Sequence, residues 1–319
     1  MCVVGLGLIG GSVLRAAHRA GWTVWGATAA PDDHVAAASD GVDVESTVDA
    51  ALQRAAAQDA LVLLAVPLPA VDDVLAQVAR HAPSCRLTDV VGVQGPVTSA
   101  VRRRIPDARY VGGHPMAGTS ASGWAAGSAG LFDGAAWVLD ADDGADLGMW
   151  ADVARLALDC GAHVVPATAA DHDAAVARVS HLPHVLAAVL ASVGADGGPL
   201  ALALGAGSFG DGTRVAGSRP DLVRAMCEGN RAALTDALDD ALGRLGAARG
   251  SLASTGSLES TLRAGHLARR AFEATRDGAD DGTLRVDLTG DTALERLREI
   301  GRAGGRVTAL HGTRCTVTL

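Results

Sequence analysis

"CVVGLGLIGGS", residues 2–12, decides how the rest of the chain is read. Cys2, Val3 and Val4 form a short apolar run, and Gly5, Gly7 and Gly10 follow in G-x-G-x-x-G register. Behind them "IGGSVLRAAHRAG" (9–21) reads as a helix closed by Gly21, the position just past a helix end that favours glycine. Strand, glycine turn and helix in this order open a βαβ unit that holds a dinucleotide. Gly5 permits the tight turn, Gly7 lets the backbone approach a pyrophosphate, and Gly10 lets helix and strand pack closely. The helix N-terminus adds free N–H groups and a favourable dipole for phosphate. Gly5, Gly7, Leu8, Ile9 and Gly10 are therefore candidate cofactor contacts.

The second strand, "TVWGA" (23–27), chooses the cofactor at its end. An acid there would bind a ribose 2′-hydroxyl and favour NAD, but Ala27 and Thr28 occupy the place. The missing acid removes repulsion against a 2′-phosphate, and no arginine stands in the loop to bind one. The expected cofactor is NADP or NAD, leaning to NADP, with Thr28 as a contact.

Further out, short apolar runs alternate with helical patterns as far as residue 167. "ALVLLAVP" (60–67) is apolar throughout, as a strand buried on both faces of a parallel sheet should be. "RLTDVV" (86–91), "RYVGGHP" (109–115), "AWVLD" (136–140) and "HVVPA" (163–167) are further strand candidates. From Asp171 the pattern becomes helical, with apolar residues three and four apart. Pro183 should kink that first helix or end its first segment. The tail reads as a strand, a helix and two strands, which could form an appended subdomain. The expected fold is α/β: a Rossmann-type doubly wound parallel sheet over 1–167, an all-helical dimerisation domain over 168–277, and a short βαββ tail over 278–319.

Composition narrows the function. Of 319 residues only 3% are aromatic, so the core should be built from Ala, Val and Leu. Lysine is absent, which excludes Schiff-base and lysine general-base chemistry. A formal net charge of −9 argues against a nucleic-acid partner. Five scattered cysteines without a CxxC pair read as a reduced protein with no metal centre. No apolar stretch reads as a membrane span, and the N-terminus, running straight into the glycine fingerprint, does not read as a signal peptide. A cytoplasmic protein is expected.

Five more segments carry chemistry: "AVPLPAV" (65–71), "TDVVGVQGPV" (88–97), "GGHPMAGTSASG" (112–123), "SHLPH" (180–184) and "GAGSFGDGTRVAGSRPD" (205–221). In "GGHPMAG" a histidine stands among residues chosen for backbone shape, and the stretch reads as a loop. The ordered set behind "GLGLIGGS" resembles the prephenate/arogenate dehydrogenase family of tyrosine biosynthesis, over nearly all the chain except the tail. The resemblance implies an NAD(P)-dependent oxidative decarboxylation of a cyclohexadienol, driven by aromatisation, with no metal. It implies that His114 is the base at the ring hydroxyl, with a natural pKa suited to the task. It implies that Arg214 binds a substrate carboxylate, which a guanidinium can grip through two oxygens at once. Ser218, four residues on, would share its face if the stretch is helical. Gly207, Thr119 and Ser120 are further substrate contacts by the same resemblance, and Val66 and Pro67 lie beside the cofactor. His181 and His184 are pocket residues on this reading and packed structural histidines on the other. A homodimer is implied as well.

The chain departs from the family pattern at three places, the first being Ser120, where an acidic residue often follows the histidine loop. Gly92 stands where the family has a serine that helps orient the catalytic histidine, and Gln94 replaces a lysine. Two other readings follow: a non-catalytic NAD(P)-binding sensor that kept the fold, or a related β-hydroxyacid dehydrogenase or imine reductase. Intact His114, Arg214, His181 and His184 favour the enzyme, and the absence of lysine disfavours the last reading.

Overall fold

The structure is a computed structural model and describes residues 1–119, 121–276, 282–290 and 292–319. The chain folds as two units: Met1–Asp173 with Ser218–Gly229 and Thr283–Leu319, and Ala174–Gly217 with Asn230–Gly282. The boundary expected at 277/278 lies outside the described residues.

The first unit contains two sheets. Strands β1 (Cys2–Val4), β2 (Trp25–Ala27), β3 (Leu61–Leu64), β4 (Arg86–Asp89) and β5 (Arg109–Val111) make a parallel sheet in the order β2-β1-β3-β4-β5. Strands β1 and β3 are apolar on both faces because each face has its own core. Val3, Leu61 and Leu63 pack into one cluster with Leu6 and Val13, while Cys2, Val4, Val62 and Leu64 pack into another with Leu52 and Leu75. The order reverses between β1 and β3, and a crevice at such a switch point is where open α/β sheets bind ligands. The glycine loop follows β1 and Val66–Pro67 follow β3, so both reach that edge.

After Gly112 the chain enters a second sheet. Strands β6 (Gly113–Pro115), β7 (Ala136–Asp140), β8 (His163–Ala167), β9 (Thr283–Asp287), β10 (Arg306–His311) and β11 (Arg314–Thr318) lie in the order β6-β7-β8-β10-β11-β9. His114 is thus on a strand, paired antiparallel with Val138, rather than on the loop expected for "GGHPMAG". Strand alternation explains the sequence: Gly113 and Pro115 are buried while the imidazole between them points the other way and is half-buried.

The tail is part of this unit, not an appended body. Val307 of β10 pairs with Val164 of β8, and helix Ala293–Arg302 buries Leu297 and Ile300 in the first core. A side chain at Gly301 would collide with the Pro166 carbonyl, so the tail helix lies directly on β8. The core also differs from an Ala/Val/Leu core. Four of the five tryptophans, Trp25, Trp124, Trp137 and Trp150, are fully buried. Few aromatics does not mean few in the core, since each buries a large area.

The second unit is helical, with Leu182–Asp196, Gly198–Ala203, Gly207–Thr213, Arg231–Thr255 and Glu259–Arg276 as its helices. Pro183 neither ends nor breaks the run that begins at Ala169. A π-turn over Ala177–His181 precedes it, with the Leu182 N–H reaching the Ala177 carbonyl, and Pro183 sits in the first turn of the next segment. There its missing N–H costs no bond. The whole run, Ala169–Asp196, is long and apolar enough by length and composition alone to cross a membrane, although Asp171, Asp173, Arg178 and Pro183 interrupt it. Few residues of this unit are buried, among them Ala187, Leu234 and Ala237, while Val189, Val193, Leu200, Leu242 and Leu262 are exposed.

Candidate active site

The glycine loop has the geometry that its sequence implies. Gly5 has φ +98°, a conformation L side chains avoid, and a Cβ there would strike the Ala65 carbonyl. A Cβ at Gly10 would strike the Gly5 carbonyl, whereas one at Gly7 would meet no atom within 4 Å. Gly7 caps helix Leu8–Arg19 with no side chain on the helix's first N–H groups. Two glycines therefore close the turn, and the third leaves an open approach to a helix N-terminus. These residues fit the pyrophosphate of a dinucleotide. Leu8 and Ile9 occupy the first helical turn, and Val66 lies against Gly5. Thr28 follows β2, where its hydroxyl accepts the Ala30 N–H. Asp33 is engaged elsewhere, taking the Trp124 N–H at 2.7 Å.

His114 sits in a buried polar chain. Its Nδ1 lies 2.9 Å from Nε2 of His172, and Nδ1 of His172 lies 2.8 Å from Oδ1 of Asp173. Asp173 in turn accepts the Gln94 and Gly95 N–H groups, both at 2.8 Å. These are the first N–H groups of helix Gln94–Arg104, whose N-cap, Val93, offers no polar side chain. Asp173 is thus the cap, supplied from 79 residues away in sequence. Burial, the largest single influence, pushes its carboxyl up, but hydrogen bonds from His172, Gln94 and Gly95 together outweigh it and hold the group below the ordinary range.

Beside this chain lies a second buried network. The Gln94 side-chain amide donates to the Val91 carbonyl at 2.8 Å and the Gly113 carbonyl at 2.9 Å, tying its turn to the strand of His114. Asp89 accepts the Tyr110 hydroxyl at 2.6 Å and the Val91 N–H at 2.8 Å. Burial raises the Asp89 carboxyl to about 6, against the pull of those hydrogen bonds. Gln94 is therefore an anchor of the loop. Gly92 lies next to His114: a Cβ there would sit 3.5 Å from its Nε2, an ordinary contact.

The other predicted residues divide between the units. Thr119 is exposed and its hydroxyl accepts the Ala121 N–H; Ser120 lies outside the described residues. Within the second unit, His181 is buried with Nδ1 3.2 Å from the Asn230 amide, while Nδ1 of His184 is buried and, among the described residues, has no hydrogen-bond partner. Helix Leu182–Asp196 packs on helix Gly207–Thr213, where Leu190 meets Gly212. Arg214 is exposed, and among the described residues it makes no ion pair; Asp221 is taken by Arg219 at 2.6 Å. Ser218 does not share a helical face with Arg214. A 3₁₀ turn ends at Gly217, and Ser218 falls in the first unit, before helix Pro220–Gly229. Among the described residues no group of three or more His, Cys, Asp or Glu is arranged for a metal ion. The sequence reading passed over His172, Asp173 and Asn230 as site residues. The polar "DHD" at the start of an otherwise apolar helix was the available signal.

Two family models match the chain in order: the nucleotide-binding domain of prephenate dehydrogenase over residues 11–166 and its dimerization domain over residues 168–260. Prephenate dehydrogenase of Bacillus subtilis is 30% identical over 75% of this chain, and the match spans 66% of that protein. Cyclohexadienyl dehydrogenase of Zymomonas mobilis is 31% identical over 80% of this chain and 88% of that protein. The crystal structure of a candidate prephenate dehydrogenase from Corynebacterium glutamicum superposes with a TM-score of 0.90 at 45% identity, covering 96% of this chain and 97% of that one. Its tail is thus shared as well as its two named domains. A chain that follows both family models in sequence, and a curated member across most of that member's length, belongs to the prephenate dehydrogenase family of oxidoreductases.

Proposed function

We propose that the chain oxidises prephenate or arogenate with NAD(P) as acceptor, releasing carbon dioxide and a 4-hydroxyphenyl product. The observation that carries this reading is His114, half-buried beside the dinucleotide edge and backed by His172 and Asp173. The bound nicotinamide supplies the hydride acceptor. The protein's task is to take the proton of the C4 hydroxyl as hydride leaves C4, and Nε2 of His114 does this. Loss of carbon dioxide from C1 then makes the ring aromatic, and the same imidazolium returns its proton to the phenolate oxygen. Arg214 binds a substrate carboxylate, with His181, His184, Gly207, Thr119, Ser120 and Ser218 as further contacts. Gly5, Gly7, Leu8, Ile9, Gly10, Thr28, Val66 and Pro67 hold the dinucleotide, and the absence of an acid at Thr28 favours NADP.

The reading includes a cytoplasmic homodimer. Exposed Val189, Val193, Leu200 and Leu242 support it, since isolated apolar side chains are ordinary but a helical unit so poor in core is not. Light scattering at micromolar concentration should return twice the chain's mass. The activity is tested by mixing protein, NAD or NADP, and prephenate or arogenate, and following absorbance of the reduced cofactor. Absence of turnover with all four pairs would remove the proposal.

A further inference from the structure

His114 is useful as a base only if the nitrogen that faces the substrate hydroxyl carries no proton. Neutral imidazole has one N–H and one acceptor nitrogen, and the partner of one nitrogen decides the state of the other. In this chain the partners run in one line. Asp173 receives N–H bonds from Gln94 and Gly95 at a helix N-terminus, which favours negative charge. An ionised carboxylate has no proton to give, so the 2.8 Å contact requires the proton on Nδ1 of His172. With one proton on its ring, His172 has Nε2 as its acceptor, and the 2.9 Å contact then places the proton of His114 on Nδ1. Nε2 of His114 is left as the acceptor. The two rings meet in a T-shaped arrangement, with centroids 5.1 Å apart and planes at 76°, so the bond also fixes the ring's orientation.

We infer that His172 and Asp173 are positioning residues, which set the His114 tautomer so that Nε2 is the basic atom and hold the ring as it takes a proton. This rests on the proposed function. It also accounts for Gly92, where the resemblance places an orienting serine. Here the imidazole is oriented from its Nδ1 side, and the position 3.5 Å from Nε2 carries no side chain. All these residues belong to one folding unit.

The test uses full-length protein labelled with ¹⁵N-histidine and saturated with NADP, with the His114 signals assigned by their loss in His114→Asn. The expected spectrum shows His114 protonated at Nδ1. Asp173→Asn presents an amide to His172 and to the helix N-terminus, so it should move His114 towards the Nε2-protonated form. It should also lower kcat about a hundredfold, within the range for losing a general base, while KM for the substrate stays within about twofold. His172→Gln should lower kcat similarly and serves if Asp173→Asn folds poorly. A merely structural cap would lower the melting temperature and leave tautomer and kcat alone. The inference is overturned if wild-type His114 is protonated at Nε2, or if both variants keep kcat within about twofold. If the wild-type protein turns over neither substrate, the functional reading fails while the spectrum still decides the tautomer.

Discussion

The two folding units handle hydrophobic surface in opposite ways. In the first, strands such as Cys2–Val4 and Leu61–Leu64 are buried on both faces, and four tryptophans fill the space that alanines leave. In the second, Ala187, Leu234 and Ala237 are buried while a long series of Leu and Val side chains faces outward. One unit completes its own core, and the other leaves many apolar side chains exposed. The polar groups divide in the same way. Those of the first unit are buried and fixed by networks, as at Asp89, Gln94, His172 and Asp173, whereas Arg214 of the second stands exposed without an ion pair among the described residues. On the proposed function, the base sits in the preorganised first unit and the carboxylate-binding arginine in the second.

The sharpest break of this contrast is His114→Asn. It should fold and bind dinucleotide, yet lose kcat by about a hundred- to ten-thousand-fold, the usual worth of general acid–base catalysis. A variant with near-wild-type kcat would take the chemistry away from the first unit. Arg214→Ala should act through binding instead. Losing a charge-assisted contact worth about 1.5–3 kcal/mol should raise KM by roughly ten- to a hundredfold, with kcat falling less. A collapse of kcat at unchanged KM would erase the distinction between the units.

How far the sequence revealed this depends on the distance over which each feature is built. The glycine loop is local: Gly5, Gly7 and Gly10 act within six residues, and their roles could be read directly. His114 was recognisable from its neighbours, and "RYVGGHP" allowed a strand there, but not its division between two sheets, because β6 exists only by pairing with β7 some 24 positions on (His114↔Val138). The Asp173 cap on the Gln94 helix spans 79 residues and leaves no spacing to read. The tail's place in the second sheet depends on Val307 finding Val164. Pro183 misled because a local rule for helix breaking was overridden by a π-turn just before it.

Burial in the first unit should also appear as a pH dependence. Asp140 is 7% exposed, and burial, with the neighbouring Asp142 adding to it, raises its carboxyl to about 7. In the unfolded chain the group ionises near the ordinary value of about 3.9. Between those limits the folded state keeps a proton that the unfolded state has lost, so stability falls as pH rises through the window and the cost is complete above it. Asp140→Asn removes the titration. Thermal melts should show a gain of up to about 4 kcal/mol at pH 8 and almost none at pH 4. An equal gain at both values would mean that packing, not ionisation, is the cause. The smallest effect is expected at Gly92→Ser. The new Cβ has room, and His114 is already oriented from its other nitrogen, so kcat should change by no more than about threefold, the scale of one ordinary hydrogen bond. A much larger gain would show that the site lacked its serine; a large loss would show that the space beside Nε2 is in use.

The placement of β10 between β8 and β11 sets the order in which the molecule can be finished. The first unit takes residues from both ends of the chain, and the polypeptide passes into the second unit and back twice before Arg306 is made. A ribosome adding roughly 5–20 residues per second releases the parallel sheet and its glycine loop many seconds before that point. During the interval the β8 edge has backbone groups without strand partners, and the core that receives Leu297, Ile300 and Val307 is open on one side. The nascent nucleotide-binding unit thus waits for its last strands with an exposed edge of the kind that recruits chaperones or another chain. Closure of this sheet, and with it the setting of β6 and His114 within it, waits until β10 and β11 have been made.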